Sequence, residues 1–304
     1  MAAGPPDGIV GAMPRKPADI KAMALFLTVA FVAAGALGAV QPATGIPAEI
    51  IQLTQFGPAL GVGLAALLWP SRVRELLAGT GPGRSGRGAL LLVTAPLVIA
   101  LSVGTYAALT GDPRFTPPQA PFALIAVAQL IGACGEEIGW RCFLQPLLRT
   151  RFGPLTTSVV VGVVWGAWHI QIFAKHPLYA AAFLTMAVSM SVVLGWALEG
   201  VRAARLPLAG GFHALINLGL LLFMDEESGA VLPMALFGAS CVVAAGLWTW
   251  WGVGRAARSA SGQSAAKAPA RAPARAQARA QARAQAPARA HARARISPIM
   301  DDVR

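Results

Sequence analysis

The stretch Gly135-Glu136-Glu137-Ile138-Gly139-Trp140-Arg141 stands inside a largely apolar run from Phe122 to Leu148. A charge at the centre of a membrane helix costs at least about 2.5–3.5 kcal/mol on the most lenient scale. Two adjacent carboxylates and a guanidinium therefore need a reason to be there. Composition says which solvent the run sees. Of 304 residues, 56% are hydrophobic and 12% are charged, against about 25% charged in a soluble domain. Lipid is the expected solvent for most of the chain.

Working outward, eight apolar runs approach or exceed the roughly 20 residues needed to cross the hydrocarbon: Ala22–Val40, Ile50–Trp69, Ala89–Leu109, Pro121–Leu148, Leu155–Phe173, Leu178–Leu198, Leu206–Met224 and Val231–Trp251. The first is longer than a signal-peptide core and no clear cleavage site follows it, so it reads as a retained helix. The expected fold class is all-α: a polytopic membrane helix bundle with about eight transmembrane helices. Loops alternate in charge. One side carries Arg15, Lys16, Lys21, Arg72, Arg74, Arg84, Arg87, Arg149, Arg151, Arg202 and Arg205. The other carries Arg114 and Lys175 against Glu49, Asp112, Asp225, Glu226 and Glu227. The positive-inside rule then puts both termini in the cytoplasm of a multi-pass cell-membrane protein.

The net charge of +12 is largely a property of the tail, since eleven of the 25 Lys and Arg residues follow Gly254. From Ser259 to Arg295 the chain is an Ala/Arg/Pro/Gln tract with too little apolar bulk for a core. It reads as a disordered cytoplasmic tail near anionic headgroups, and no specific nucleic-acid partner is expected. Cys134, Cys142 and Cys241 lack CxxC spacing, which speaks against a thiolate metal site or a disulfide framework.

The polar residues of the spans sort by helix geometry. Glu137 and Arg141 are four apart and face each other. Glu136 is turned about 100° away and needs another partner. Trp165 and His169 share one face of the fifth run, and His213 and Asn217 share one face of the seventh. None of these faces suits lipid, so they must converge in the bundle. Gln52, Thr54 and Gln55 are milder and are expected near the outer end of the second run. Trp165, Trp168 and Trp196 read as packing or interface residues.

A buried carboxylate with two imidazoles and an amide is a hydrolytic set. The carboxylate can act as a base towards water, and a histidine with an amide can donate to an oxyanion. The same Glu136, His169 and His213 suit a zinc ion, although no HExxH helix is present. A polar packing core without catalysis, or a proton-relaying transporter, would use similar residues. A transporter more often shows internal repeats, and none is evident. The hydrolytic reading asks for one cavity shared by Glu136, His169, His213 and Asn217, open to the cytoplasm or inner leaflet.

At these residues the chain resembles the CAAX protease and bacteriocin-processing (CPBP) family of intramembrane proteases. The Glu-Glu-x-x-x-Arg motif stands as Glu136 to Arg141. The aromatic-x-x-x-His motif stands as Trp165 to His169, with Trp where Phe is common. The His-x-x-x-Asn motif stands as His213 to Asn217. The resemblance implies peptide-bond hydrolysis in a membrane cavity, on a membrane-associated protein or peptide. It gives Glu136 the role of base, with His169 assisting, His213 and Asn217 on the oxyanion, and Glu137 and Arg141 bracing. The family is commonly called metalloprotease, and a metal-free, glutamate-dependent route has also been argued for it. CAAX-type processing is one activity found in the family, bacteriocin processing or immunity another. The expected division is a cytoplasmic segment 1–21, transmembrane helices in 22–120, the CPBP-like core 121–222, a last transmembrane helix in 223–252, and the basic tail 253–304.

Overall fold

The computed structural model describes residues 17–78, 86–113, 115–201, 204–224 and 229–267. Among these it is helical without strands. The α-helices are α1 (Pro17–Thr44), α2 (Gly57–Leu68), α3 (Pro70–Ala78), α4 (Gly86–Thr110), α5 (Phe122–Gly139), α6 (Gln145–Arg149), α7 (Pro154–Trp168), α8 (Pro177–Ala197), α9 (Arg205–Phe223) and α10 (Val231–Lys267). The chain divides into two units, Met1–Trp250 and Trp251–Arg304. In the second, the Arg255 guanidinium lies 4.9 Å from the centroid of the Trp251 ring.

Among the described residues, six helical segments are long and apolar enough to cross a bilayer: Ala18–Thr44, Arg87–Thr110, Phe122–Arg149, Pro177–Ala197, Arg205–Phe223 and Val231–Arg255. The runs expected as second and fifth spans form shorter elements. The second is an irregular entry, a 3₁₀ turn at Leu53–Phe56 and then α2, whose 12 residues reach about 18 Å. Pro58 in its first turn lacks the N–H that an upstream continuation would need. The fifth is α7, 15 residues or about 22 Å, which stops at Trp168 and gives way to a 3₁₀ segment, Ile170–Ala174.

Contacts at the helix termini define two ends of the bundle. At one end Arg72 Nε donates to Asp19 Oδ1 (2.8 Å), Arg149 Nη2 to Glu199 Oε1 (2.6 Å), and Arg87 Nη1 to the Trp196 and Glu199 carbonyls (3.3 and 3.2 Å). This is the basic end. At the other, the acidic end, Gln119 N–H donates to Glu49 Oε1 (2.8 Å), Thr116 N–H to the Leu222 carbonyl (2.7 Å), and the Phe115 and Phe223 rings lie 5.8 Å apart. Both short helices fall short at the acidic end, because α2 starts there and α7 finishes there. The bundle is therefore hollow on that side.

The helices approach closely where glycines allow it, the usual device when lipid supplies no hydrophobic drive between helices. A Cβ on Gly57 would meet the Ala30 carbonyl oxygen at 2.6 Å, and one on Gly162 would meet Val188 Cα at 2.7 Å. Below the hollow, the buried rings of Phe26, Trp140, Phe143 and Trp168 form the floor, with centroids 5.1–5.9 Å apart.

Between α5 and α6 the chain makes one π-helical turn, Trp140–Leu144. Pro146 explains it: an α-turn there would press the proline ring on the Cys142 carbonyl. The Gln145 N–H bonds instead to the Trp140 carbonyl, and the released Arg141 carbonyl accepts from Arg205 Nη1 at 3.4 Å. The last helix also departs from expectation. Residues 253–267, expected as disordered tail, belong to α10. Ala, Arg, Ser and Gln sustain a helix, and the first proline beyond Pro233 is Pro269. The rest of the expected tail, 268–304, and the segment 1–16 lie outside the described residues.

Candidate active site

Glu136 and Glu137 sit at the end of α5, just before the π turn, and both are buried. Adjacency on a helix sends them different ways. Glu137 is fully enclosed: its Oε2 accepts from Arg141 Nε at 3.0 Å, and its Oε1 faces His213 Nδ1 at 2.9 Å. Arg141 is enclosed as well and donates through Nη1 to Ser191 Oγ at 2.6 Å, and Ser191 in turn donates to the Ser158 carbonyl. The carboxylate and guanidinium thus tie α5, the π turn, α7, α8 and α9 together behind the site.

Glu136 finds the partner that its own helix lacks. Its Oε2 accepts from Trp165 Nε1 at 2.8 Å, as a buried indole N–H usually demands. Trp165, expected only to pack, is the hub of the site. Its ring lies 5.6 Å from His169, 5.3 Å from His213 and 5.4 Å from the Arg141 guanidinium carbon. Trp168 does pack, giving its N–H to the Ala30 carbonyl at 3.0 Å.

His169 is the residue at which α7 ends, not a mid-helix residue, with φ −77° and ψ 64°. Its Nδ1 lies 2.9 Å from the Trp165 carbonyl. A carbonyl only accepts, so Nδ1 carries the proton and the neutral ring keeps a lone pair at Nε2. Ending at Trp168, α7 needs to reach only the hollow. His213, beside a carboxylate already paired with Arg141, likewise uses Nδ1 for Glu137 and leaves Nε2 on the other edge of the ring. Asn217 Nδ2 donates to Gln129 Oε1 at 3.0 Å, and Gln129 Nε2 reaches the Glu49 and Ile50 carbonyls at 3.4 and 3.3 Å.

One cavity of about 960 Å³ is lined by Glu136, His169, His213 and Asn217 together. Glu137 and Arg141 are not among its lining residues. Its remaining walls come from the acidic end of the bundle: α1, the segment 48–55, the loop 116–119, Gln129 and the stretch after α7. Gln52, Thr54 and Gln55 line it, so the polar residues of the second run are part of the site. Gln41 holds that segment in place, donating to the Ile51 carbonyl at 2.8 Å and accepting from Leu53 N–H at 2.9 Å. The cavity opens between exposed residues Ala48, Gln52, Thr116, Gln119, Gln171 and Lys175. That is the acidic end. Reading the second and fifth runs as unbroken helices leaves no room for this hollow.

Among the described residues no group of three His, Cys, Asp or Glu side chains is arranged to hold a metal ion. Glu136 and His169 both bond to Trp165, and His213 bonds to Glu137.

Comparison with known proteins points the same way as the motifs. Residues 118–219 match the Rce1-like family model, described as type II CAAX prenyl endopeptidase. Lysostaphin resistance protein A of Staphylococcus aureus, in strains bovine RF122 / ET3-1 and Newman, is 26% identical over 165 residues, covering 51% of this chain. The match covers 38% of the relatives' own length. Over the segment that carries all three motifs, the chain is similar to the Rce1-like type II CAAX prenyl endopeptidases, in keeping with the CAAX protease and bacteriocin-processing family.

Proposed function

We propose that this protein is an intramembrane endopeptidase that hydrolyses a peptide bond of a membrane-associated protein or peptide. The observation that carries the reading is the single cavity shared by Glu136, His169, His213 and Asn217, with Glu137 and Arg141 sealed behind it. One Glu136 oxygen is held by Trp165, which leaves the other for a water molecule. Glu136 takes a proton from that water as its oxygen attacks the scissile carbonyl carbon. His169 accepts the water's other hydrogen at Nε2 and aims its lone pair. The carbonyl oxygen, now an oxyanion, takes hydrogen bonds from Asn217 Nδ2 and, once the His213 ring is protonated at both nitrogens, from His213 Nε2. Glu136 then passes its proton to the departing amine. The bilayer holds the protein through α1, α4, α5–α6, α8, α9 and α10, with the shorter α2 and α7 carrying the chain between its two ends and both termini cytoplasmic.

A second reading has one observation in its favour. The curated relatives are named for resistance, and a non-catalytic scaffold or immunity protein would keep the same polar core for packing. Comparative N-terminomics separates the two. Membranes carrying wild type should contain new protein N-termini that are missing from membranes carrying Glu136→Gln at equal abundance. Identical sets of termini would leave the scaffold reading standing and remove the protease.

A further inference from the structure

We propose that the site is served from the non-cytoplasmic face of the membrane, by an extended peptide segment lying at that surface. The inference rests on the hydrolytic reading above and adds the side of entry and the kind of substrate.

Three observations carry it. The first is the architecture of the hollow. Among the described helices that run between the two ends, α2 and α7 are short, and both stop before the acidic end. The cavity occupies the space they leave, and the chain there is the 3₁₀ turn Leu53–Phe56 and the segment Ile170–Ala174. The second is depth. Asn217 lies only six residues, about 9 Å, before the end of α9 at the acidic end, while Glu136 sits midway along the Phe122–Arg149 span. The exposed residues of the cavity mouth sit at the acidic end. The third is charge. Every described Lys or Arg of the loops except Lys175 belongs to the basic end, which the positive-inside rule assigns to the cytoplasm. The mouth then faces outward.

The wall suggests what enters. Gln52, Gln55, Gln119, Gln129 and Gln171 line the cavity with Thr54 and Asn217. A carboxamide offers donors and an acceptor, the same pair of functions as a peptide group. Gln55 is buried, and its Oε1 has no protein hydrogen-bond partner. An extended strand entering a low-dielectric cavity must have its N–H and C=O groups satisfied there, and a wall of amides does this without selecting for charge.

The test is side-specific labelling. Gln52→Cys and Gln171→Cys place a thiol at the mouth, and Arg74→Cys places one on exposed α3 at the basic end. Each is added to the otherwise unchanged chain. Cys142 and Cys241 are buried and Cys134 is partly so, so the unmodified protein supplies the background to subtract. A membrane-impermeant maleimide is applied to intact cells and to permeabilised cells. The expected result is equal labelling of Gln52→Cys and Gln171→Cys before and after permeabilisation, with Arg74→Cys labelled only after. Mouth cysteines labelled only after permeabilisation, or all three labelled alike in intact cells, overturn the inference. Labelling does not depend on turnover. A protein without protease activity whose mouth labels from outside refutes the hydrolytic reading alone, and an active protein whose mouth labels only from inside refutes this one alone.

Discussion

Glu137→Gln removes one charge at the most enclosed point of the molecule and leaves the side-chain shape intact. Glu137 accepts from Arg141 Nε with one oxygen and from His213 Nδ1 with the other, at 3.0 and 2.9 Å, and is fully buried. Glutamine has a single carbonyl oxygen. With that oxygen on Arg141 its NH₂ faces His213, whose proton must move from Nδ1 to Nε2; turned the other way, its NH₂ faces the Arg141 N–H. Arg141 keeps its bond to Ser191 but loses its counter-charge. Breaking a buried pair in this way costs about 3–5 kcal/mol, which for a chain of this size lowers the melting temperature by roughly 6–20 °C. Thermal unfolding of the purified protein in detergent, followed by the near-ultraviolet signal of the clustered tryptophans, reads this out. Lipid surrounds none of these atoms, so the result should hold in nanodiscs. A Glu137→Gln protein that melts with wild type and is merely inactive would refute the reasoning, because it would make Glu137 the reacting carboxylate and not the brace.

Other substitutions probe other links. Trp165→Phe keeps an aromatic ring against His169 and His213 but deletes the N–H that holds Glu136. A bond to a charged group is worth about 1.5–3 kcal/mol, so turnover should fall even where thermal unfolding shows the protein folded; unchanged turnover would show that Glu136 needs no such anchor. Gly57→Ala puts a methyl 2.6 Å from the Ala30 carbonyl oxygen, so α1 and α2 must separate at a cost of about 1–3 kcal/mol, and an unshifted melting curve would contradict that close approach. EDTA should leave wild-type turnover unchanged. Activity lost to chelation and restored by zinc would turn Glu136, His169 and His213 into ligands.

The parts legible in the sequence are those set by spacing along one helix. The four-residue step from Glu137 to Arg141 made their pairing readable, and the turn of one residue showed that Glu136 faces elsewhere. The apolar runs located the helices. What was not legible depends on how helices are rotated and where they stop. Trp165 reads as packing because an indole is mostly hydrocarbon, and only its juxtaposition with Glu136 gives its N–H a role. Its place four residues before His169 was the available signal. Glu137 reaching His213 requires α9 to lie against α5. Gln129 stands singly in apolar surroundings, where hydropathy averages it away. The ends of α2 and α7 were misplaced because hydropathy continues past the point where the helix stops. Ile50 and Ile51 precede a 3₁₀ turn, and Ile170, Ile172 and Phe173 follow His169 in one. That error hid the cavity mouth.

The central claim is that Glu136 is the base and that its neighbours serve it. The most direct measurement is the turnover of purified Glu136→Gln on a substrate that wild type cleaves, at matched folded fraction by thermal unfolding. Glutamine keeps an oxygen for the Trp165 N–H but cannot take a proton from water. The account predicts a melting temperature close to that of wild type and a rate lower by at least about 100-fold, the scale of general base catalysis. A Glu136→Gln protein that is folded and cleaves the substrate at the wild-type rate would contradict it.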